Sequence, residues 1–242
     1  MLKKKYKSLL WIVFFSLITS LQMISAQTLP LQDTIIMVDA GHGGRDSGTY
    51  YGNILEKDIN LAIAKQLEKV LTKQGAIVYM TRKRDIDLSS IYDSAKKRGD
   101  LYRRLLMIKD KNCDLYLSIH INWYDDTSLK GAEVLYNPIN KDNKKIATFI
   151  MNRFRQDLGS DRNIKITDLY MYKNTTIPGV LIECGYLSNF EERKKLQEIK
   201  YQKKLASTIA KGVVDYLKAD KKNKIYNVII STLHLQHTKR IK

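Results

Sequence analysis

The chain has 242 residues, of which 44% are hydrophobic and 28% are charged, a composition typical of a folded protein of one or two domains. With 3 prolines, 12 glycines and no tract of simple composition, the sequence excludes collagen-like and low-complexity disordered proteins. Lysine and arginine total 42 against 25 acidic residues, a net charge of +17 that predicts attraction to a polyanion without selecting one. Two cysteines, Cys113 and Cys184, are too few for a disulfide framework.

The amino terminus has the order of charge and hydrophobicity of an export signal. Four lysines between residues 3 and 7 precede an uncharged run from Ser8 to Ala26. We expect cleavage after Ala26; an uncleaved membrane anchor is the alternative, because about 18 weakly polar residues approach a bilayer-spanning length. In both cases residues 1–26 are a signal peptide or membrane anchor, and the rest of the chain is exported across the cytoplasmic membrane, with membrane contact only through this segment.

The rest of the chain alternates predicted strands with predicted helices. Short apolar runs predict strands at Thr34–Asp39, Ile77–Arg82, Asp114–Asn122, Ala132–Tyr136 and Gly179–Gly185. Apolar residues at a spacing of 3.6 predict helices from Glu56, over Leu101–Lys111, from Ile146 to Leu158 and from Leu205 to Leu217. The order predicts an α/β fold: one domain with a mostly parallel twisted sheet and helices on both faces.

Two segments depart from that alternation. Residues 83–99 are polar and irregular and predict an exposed excursion within the domain. Residues 221–242 form a basic tail whose Val228–Ile230 segment is either an added edge strand or disordered. His234 and His237 in this tail are spaced for one helix face, but their basic surroundings favour an incidental pair over a metal site.

Two histidines stand at the carboxyl ends of predicted strands, which is the edge of an open α/β sheet where ligands bind. They are His42 and His120. A single histidine is more often structural, but Glu56 opens the intervening helix near the same edge. Two imidazoles and a carboxylate suit zinc, with a fourth position left for water.

A carboxylate also interrupts the last predicted strand. Glu183 stands among apolar residues that we expect to be buried on both faces, where a charge is costly unless it is paired or used. It is either satisfied by a lysine or backbone donors, or it is a general base beside a metal. For the adjacent Cys184, a buried apolar role is favoured over a nucleophile, since no histidine partner is placed for it.

Four segments of the sequence together resemble the zinc-dependent N-acetylmuramoyl-L-alanine amidases of the third amidase family. The segments occur in family order and are Val38–Gly44, Leu55–Asp58, Leu117–Asn122 and Leu181–Asn189. Within that family the chain is most similar to the germination-specific, spore-cortex amidases of endospore formers. The shared features include Met80–Arg82, Leu169–Met171 and Tyr201–Lys204.

The resemblance implies a role for each candidate residue. Residues 27–220 would form the catalytic domain, in which His42, Glu56 and His120 bind Zn²⁺ and Glu183 is the catalytic carboxylate. It also implies a supporting role for Arg104 and a place in the substrate groove for Asn122. A solvated helix face is the alternative for Arg104, and Arg103 beside it is an equal candidate.

The implied reaction is hydrolysis of the amide bond between N-acetylmuramic acid and L-alanine by zinc-activated water. In the spore-cortex relatives this is the first step toward muramic-δ-lactam, in the cell wall or the forespore intermembrane space. The partners would be peptidoglycan glycan strands with their stem peptides and a regulatory protein, since no separate wall-binding module is visible. The alternatives are another zinc-dependent cell-wall hydrolase, such as a carboxypeptidase or deacetylase, and a non-catalytic wall-binding protein.

A nucleotide or nucleic-acid partner is not expected. Gly43 and Gly44 suggest a phosphate loop, but the lysine and the serine or threonine that such a loop needs are missing.

Overall fold

The structure, a computed structural model, describes the backbone of residues 29–240 and their side chains except those of residues 172–173 and 223–240. The signal peptide or anchor expected at residues 1–26 lies outside the described residues, as do the side chains of His234 and His237. Within the part described, no helix combines the length and the apolar character needed to cross a bilayer.

The described residues form eight strands, six of which make one sheet. The strands are β1 (Ile35–Ala40), β2 (Tyr50–Tyr51), β3 (Ile54–Leu55), β4 (Ile77–Met80), β5 (Leu115–Asn122), β6 (Glu133–Tyr136), β7 (Lys165–Ile166) and β8 (Gly179–Tyr186). The order across the sheet is β4-β1-β5-β8-β6-β7, and β2 and β3 form a separate hairpin. Within the sheet only the β6–β8 pair is antiparallel. The predicted mostly parallel sheet is therefore confirmed.

Six α-helices are present among the same residues. They are α1 (Glu56–Lys73), α2 (Lys96–Asp110), α3 (Lys141–Arg153), α4 (Tyr170–Lys173), α5 (Phe190–Leu196) and α6 (Ile199–Arg240), and a π-helical turn at Phe154–Leu158 extends α3. The turn ends at Gly159, whose φ of 69° is a left-handed conformation that glycine adopts without strain.

Successive strand residues point to opposite faces, so the buried sheet has two apolar layers. Ile36 and Val38 pack on one face in the larger core, which the apolar sides of α1, α3 and α6 complete. Met37 lies on the opposite face in a smaller core with Ile108 of α2 and Met171 of α4. The prediction of one domain with helices on both faces is confirmed.

The predicted elements are found where the sequence placed them, with three differences. Three helices begin earlier than predicted: α2 at Lys96, α3 at Lys141 and α6 at Ile199. The irregular excursion therefore ends before residue 99. The β2–β3 hairpin, β7, α4 and α5 were not predicted, since each is short and lacks a full hydrophobic period. The edge strand or disorder expected at Val228–Ile230 is wrong, because α6 continues to Arg240; no glycine or proline follows Gly212 to stop it.

Candidate metal centre and catalytic carboxylate

Three side chains from three elements meet at the carboxyl edge of the sheet. His42 follows β1, Glu56 is the first residue of α1, and His120 lies near the end of β5. The nitrogen or oxygen atoms that they offer to a metal all lie within 4.8 Å of one another. The structure thus brings together the three residues that the sequence placed at one edge, and their role as metal ligands stays a prediction.

The close approach of the two histidines depends on the backbone that follows β1. The His42 and His120 rings are 5.0 Å apart between centroids and nearly perpendicular. A Cβ at Gly41 would lie 2.3 Å from Cε1 of His120, which only glycine avoids. His42 itself has a φ of 61°, a left-handed conformation that is uncommon for a residue with a side chain. This turn directs the His42 ring toward His120 on the neighbouring strand β5.

The carboxylate of Glu56 is surrounded by donors. It accepts hydrogen bonds from the backbone nitrogens of Thr49 (2.8 Å) and Ile121 (3.1 Å) and from Nδ2 of Asn60 (3.2 Å). Oε1 also lies 3.2 and 3.1 Å from a nitrogen of each histidine. Burial alone would raise the pKa of Glu56, but these partners, the histidines above all, lower it below its ordinary value. The group therefore stays ionised, as a metal ligand must.

A further carboxylate orients one of the rings. Nδ1 of His42 lies 2.8 Å from Oδ2 of Asp46. Burial opposes a charge on the ring, but the hydrogen bonds to Asp46 and Glu56 raise the pKa of His42 to about 9. Metal-ligating histidines commonly direct their second nitrogen to a carboxylate in this way. Sequence reasoning missed Asp46, although its place four residues after His42 is a usable signal.

Glu183 stands beside this cluster in β8, where it is the register neighbour of His120. Its Oε2 is shielded from solvent and has no hydrogen-bond partner among the described residues. Burial, with further contributions from the negative charges of Glu56 and Glu133, raises the pKa of Glu183 well above its ordinary value. A carboxylate in this state takes up a proton readily, which is the property that a general base at a hydrolytic site needs.

Arg104 is only 1% exposed, so the solvated-face alternative for it is wrong. Its Nη1 donates to Oδ1 of Asp39 (2.6 Å) and to the carbonyl of Ala40 (2.7 Å), and its Nη2 donates to the carbonyl of His42 (2.6 Å). Asp100 one turn earlier on α2 accepts from Nε. The guanidinium therefore ties the end of β1 and the histidine turn to α2.

Asp39 is the buried acid at the centre of this network and was not singled out from the sequence. It is 1% exposed and accepts from the hydroxyls of Ser118 (2.5 Å) and Thr81 (2.8 Å) as well as from Arg104. Burial opposes its charge, but Arg104 and Ser118 lower the pKa of Asp39 to about 2. An aspartate inside a predicted buried strand was a signal of the same kind as Glu183.

A second buried acid, Glu133 in β6, was also missed. It is 1% exposed and is the register partner of Glu183 on the other side of β8. Asn122 donates to Oε1 of Glu133 at 2.8 Å, and the Tyr186 hydroxyl donates at 3.0 Å. Asn122 is therefore held against the carboxylate next to Glu183, and its predicted place in the substrate groove stays a prediction.

Cys184 lies away from this chemistry. Its side chain is fully buried in the larger core, on the face of the sheet opposite Glu183. Burial raises the pKa of the thiol well above its ordinary value, so a nucleophilic thiolate is disfavoured. Cys184 and Cys113 are both free.

Comparisons with known proteins agree on one family. A family model described as N-acetylmuramoyl-L-alanine amidase matches residues 36–215. The germination-specific N-acetylmuramoyl-L-alanine amidase of Bacillus subtilis is 40% identical over 194 residues, which are 78% of this chain and 82% of that protein.

Solved structures give the same result. The CwlD amidase from Clostridioides difficile, solved in complex with the GerS lipoprotein, superposes with a TM-score of 0.74 at 34% identity, covering 77% of this chain and 100% of that one. The catalytic domain of CwlV, an N-acetylmuramoyl-L-alanine amidase from Bacillus (Paenibacillus) polymyxa var. colistinus, gives a TM-score of 0.68 at 30% identity, covering 76% and 98% of the two chains.

Proposed function

The chain belongs to the N-acetylmuramoyl-L-alanine amidase family and cleaves the bond between N-acetylmuramic acid and L-alanine in peptidoglycan, and from that premise we propose how its residues perform the reaction. The predicted amidase activity on peptidoglycan is confirmed. The carboxypeptidase, deacetylase and non-catalytic alternatives have no such support. The metal, the role of each residue, the cellular site and the partner are proposals.

We propose that His42, Glu56 and His120 hold Zn²⁺. Two imidazole nitrogens and one carboxylate oxygen within 4.8 Å of one another match the ligand types of catalytic zinc sites. Asp46 orients the His42 ring, and the donors around Glu56 keep that carboxylate ionised. When bound there, zinc would activate a water molecule and polarise the amide carbonyl.

Glu183 is the proposed general base and acid. It accepts a proton from the attacking water and returns it to the amide nitrogen as the L-alanine amine leaves. The observation that supports this role is the shielded Oε2 of Glu183, which has no hydrogen-bond partner among the described residues, on the strand position that pairs with His120. Arg104 is a positioning residue that holds the backbone of Ala40 and His42, and Asn122 lines the groove.

Product analysis tests this reaction. Purified peptidoglycan digested with the zinc-loaded protein should yield intact glycan strands and free stem peptides that begin with L-alanine. Mass spectrometry of the two fractions measures this directly. Release of terminal D-alanine, or of acetate, with the glycan–peptide bond intact would contradict the proposal and identify a different hydrolase.

We propose the spore cortex as the wall that the protein processes, outside the cytoplasm. The support is its similarity to a germination-specific relative and to the C. difficile amidase. Spores that lack the protein should contain a cortex without muramic-δ-lactam, as measured by muropeptide chromatography. A normal lactam content would contradict the cortex role.

We further propose that a regulatory protein partner binds this domain, as the GerS lipoprotein binds the C. difficile amidase. In the producing organism, a tagged chain cross-linked during spore formation should recover one lipoprotein whose removal lowers amidase activity. If the purified domain alone reaches the activity that it has in the cell, no such partner is needed.

A further inference from the structure

Two cations lie beside the catalytic carboxylate and have no role in the mechanism above. Lys165 is the first residue of the edge strand β7, and Arg162 precedes it by three residues. Nζ of Lys165 lies 2.8 Å from Oε2 of Glu133, and Nε of Arg162 lies 3.4 Å from the same oxygen. Burial raises the pKa of Glu183 and the positive charge of Lys165 opposes that rise, so the ammonium group is close to this carboxylate.

Both cationic side chains are held in place by contacts with one buried carboxylate. Their common partner Glu133 is 1% exposed, and Asn122 and the Tyr186 hydroxyl hold its Oε1. Residues that face each other across an antiparallel strand pair have Cβ atoms about 5 Å apart on one face of the sheet. Glu133 therefore holds both cations on the face that carries Glu183.

The cluster has more donors and more positive charge than its one carboxylate uses. Arg162 directs Nε to Glu133 and Nη2 to the Tyr186 hydroxyl, while a guanidinium has five N–H donors. The Lys165 side chain is 49% exposed and the Arg162 side chain 22%. Both cations share the one buried carboxylate of Glu133 and stay partly exposed, so each can contact a further ligand. A second carboxylate is the ligand that such a pair accepts best, since guanidinium and carboxylate form paired hydrogen bonds.

The substrate supplies carboxylates on one side of the bond that is cleaved. The glycan side of the bond consists of neutral sugars, whereas a stem peptide that is neither cross-linked nor amidated at its end has a free terminal carboxylate. We propose that Lys165 and Arg162 bind a free carboxylate of the stem peptide, so that the enzyme prefers acidic stem peptides to amidated ones. This inference rests on the proposed function, because it requires the peptide to lie beside Glu183 during the reaction.

The test uses disaccharide–peptide fragments prepared from peptidoglycan, in two forms: one with free carboxylates and one in which they are converted to amides. Wild type should cleave the acidic form with a kcat/KM about 10-fold higher, the size expected for one charge-assisted contact. In Lys165→Gln the ratio should fall toward 1 through a higher KM for the acidic form. Lys165→Arg should keep most of the preference, because the charge remains.

The matched control is Lys65→Gln, at an exposed position of α1, which should keep the wild-type ratio. An equal loss on both forms in Lys165→Gln would overturn the inference, since the pair would then only support Glu133. A wild-type ratio of 1 would overturn it as well. If wild type cleaves neither form while zinc is bound, the proposed function itself fails, and the inference falls with it.

Discussion

Two glutamates at the same edge of the sheet have different hydrogen-bond surroundings and opposite pKa shifts. Glu56 accepts two backbone N–H groups and a side-chain amide, and its pKa lies below the ordinary value. Glu183, one strand beyond His120, has a shielded oxygen with no partner in the part of the chain that the structure describes, and its pKa lies well above the ordinary value. The two carboxylates thus have opposite pKa shifts, because the number of donors around each of them differs.

The comparison extends to the residues around each acid. We define the metal half as His42, Glu56 and His120. It accepts hydrogen bonds from Asn60 of α1, Ile121 of β5 and Arg104 of α2. In the reactive half, Glu183 with Glu133, the side-chain donors found among the described residues are directed to Glu133. In the proposed mechanism the metal half holds fixed charges and the reactive half moves a proton.

The largest expected effect comes from breaking the metal half. His120→Ala should lose the bound zinc and reduce hydrolysis of peptidoglycan to background, since a ligand is removed and binding is coupled to the site. Elemental analysis of the dialysed protein, together with digestion assays, measures both. His234→Ala in the basic tail is the control and should keep both properties. Full zinc content in His120→Ala would show that this histidine is not a ligand.

Removing the proposed proton acceptor should greatly lower turnover without affecting metal binding. Glu183→Gln should keep zinc while turnover falls by about 10³-fold, because the general base is lost and the three ligands remain. Metal content and product formation are measured on the same sample. The exposed Glu198→Gln serves as the matched control and should behave as wild type. A zinc-free Glu183→Gln protein would place Glu183 among the ligands instead.

The hydrogen bonds of Arg104 behind the metal half should contribute to the free energy of unfolding. Arg104→Leu leaves the buried Asp39 without its cation, which should lower the free energy of unfolding by about 3 to 5 kcal/mol. Arg103→Leu is the matched control: its ion pair with Asp93 is partly exposed and should be worth less than about 1 kcal/mol. Denaturant unfolding followed by circular dichroism gives both values. Equal losses in the two variants would contradict a structural role specific to Arg104.

The smallest expected effect is the acid dependence of the same network. The pKa of Asp39 is about 2 in the folded chain against an ordinary 3.8, so its contribution is present above about pH 4 and is lost as the pH falls toward about 2. That contribution is about 2 to 3 kcal/mol. The difference in unfolding free energy between wild type and Asp39→Asn should therefore shrink over this range. A difference that stays constant with pH would contradict the lowered pKa.

Much of the fold followed from local pattern. Four elements have a clear hydrophobic pattern with a polar or ionisable residue at a definite position. They are the strand before His42, the helix from Glu56 and the strands that contain His120 and Glu183. The short elements were missed because a two-residue strand is too short to show a hydrophobic period. The continuation of α6 was missed because the composition of a basic segment does not reveal whether it is helical.

What the sequence by itself determined is which residues stand at one sheet edge, because the parallel order of strands follows from the alternation of strands and helices. Only the tertiary structure decided that Arg104 is buried under the His42 turn, that Asp46 and Asp39 support it, and that Glu133 anchors Lys165 and Arg162 beside Glu183. The physical reason is that hydrogen bonds between residues far apart in the chain depend on strand register and helix packing, neither of which leaves a local pattern.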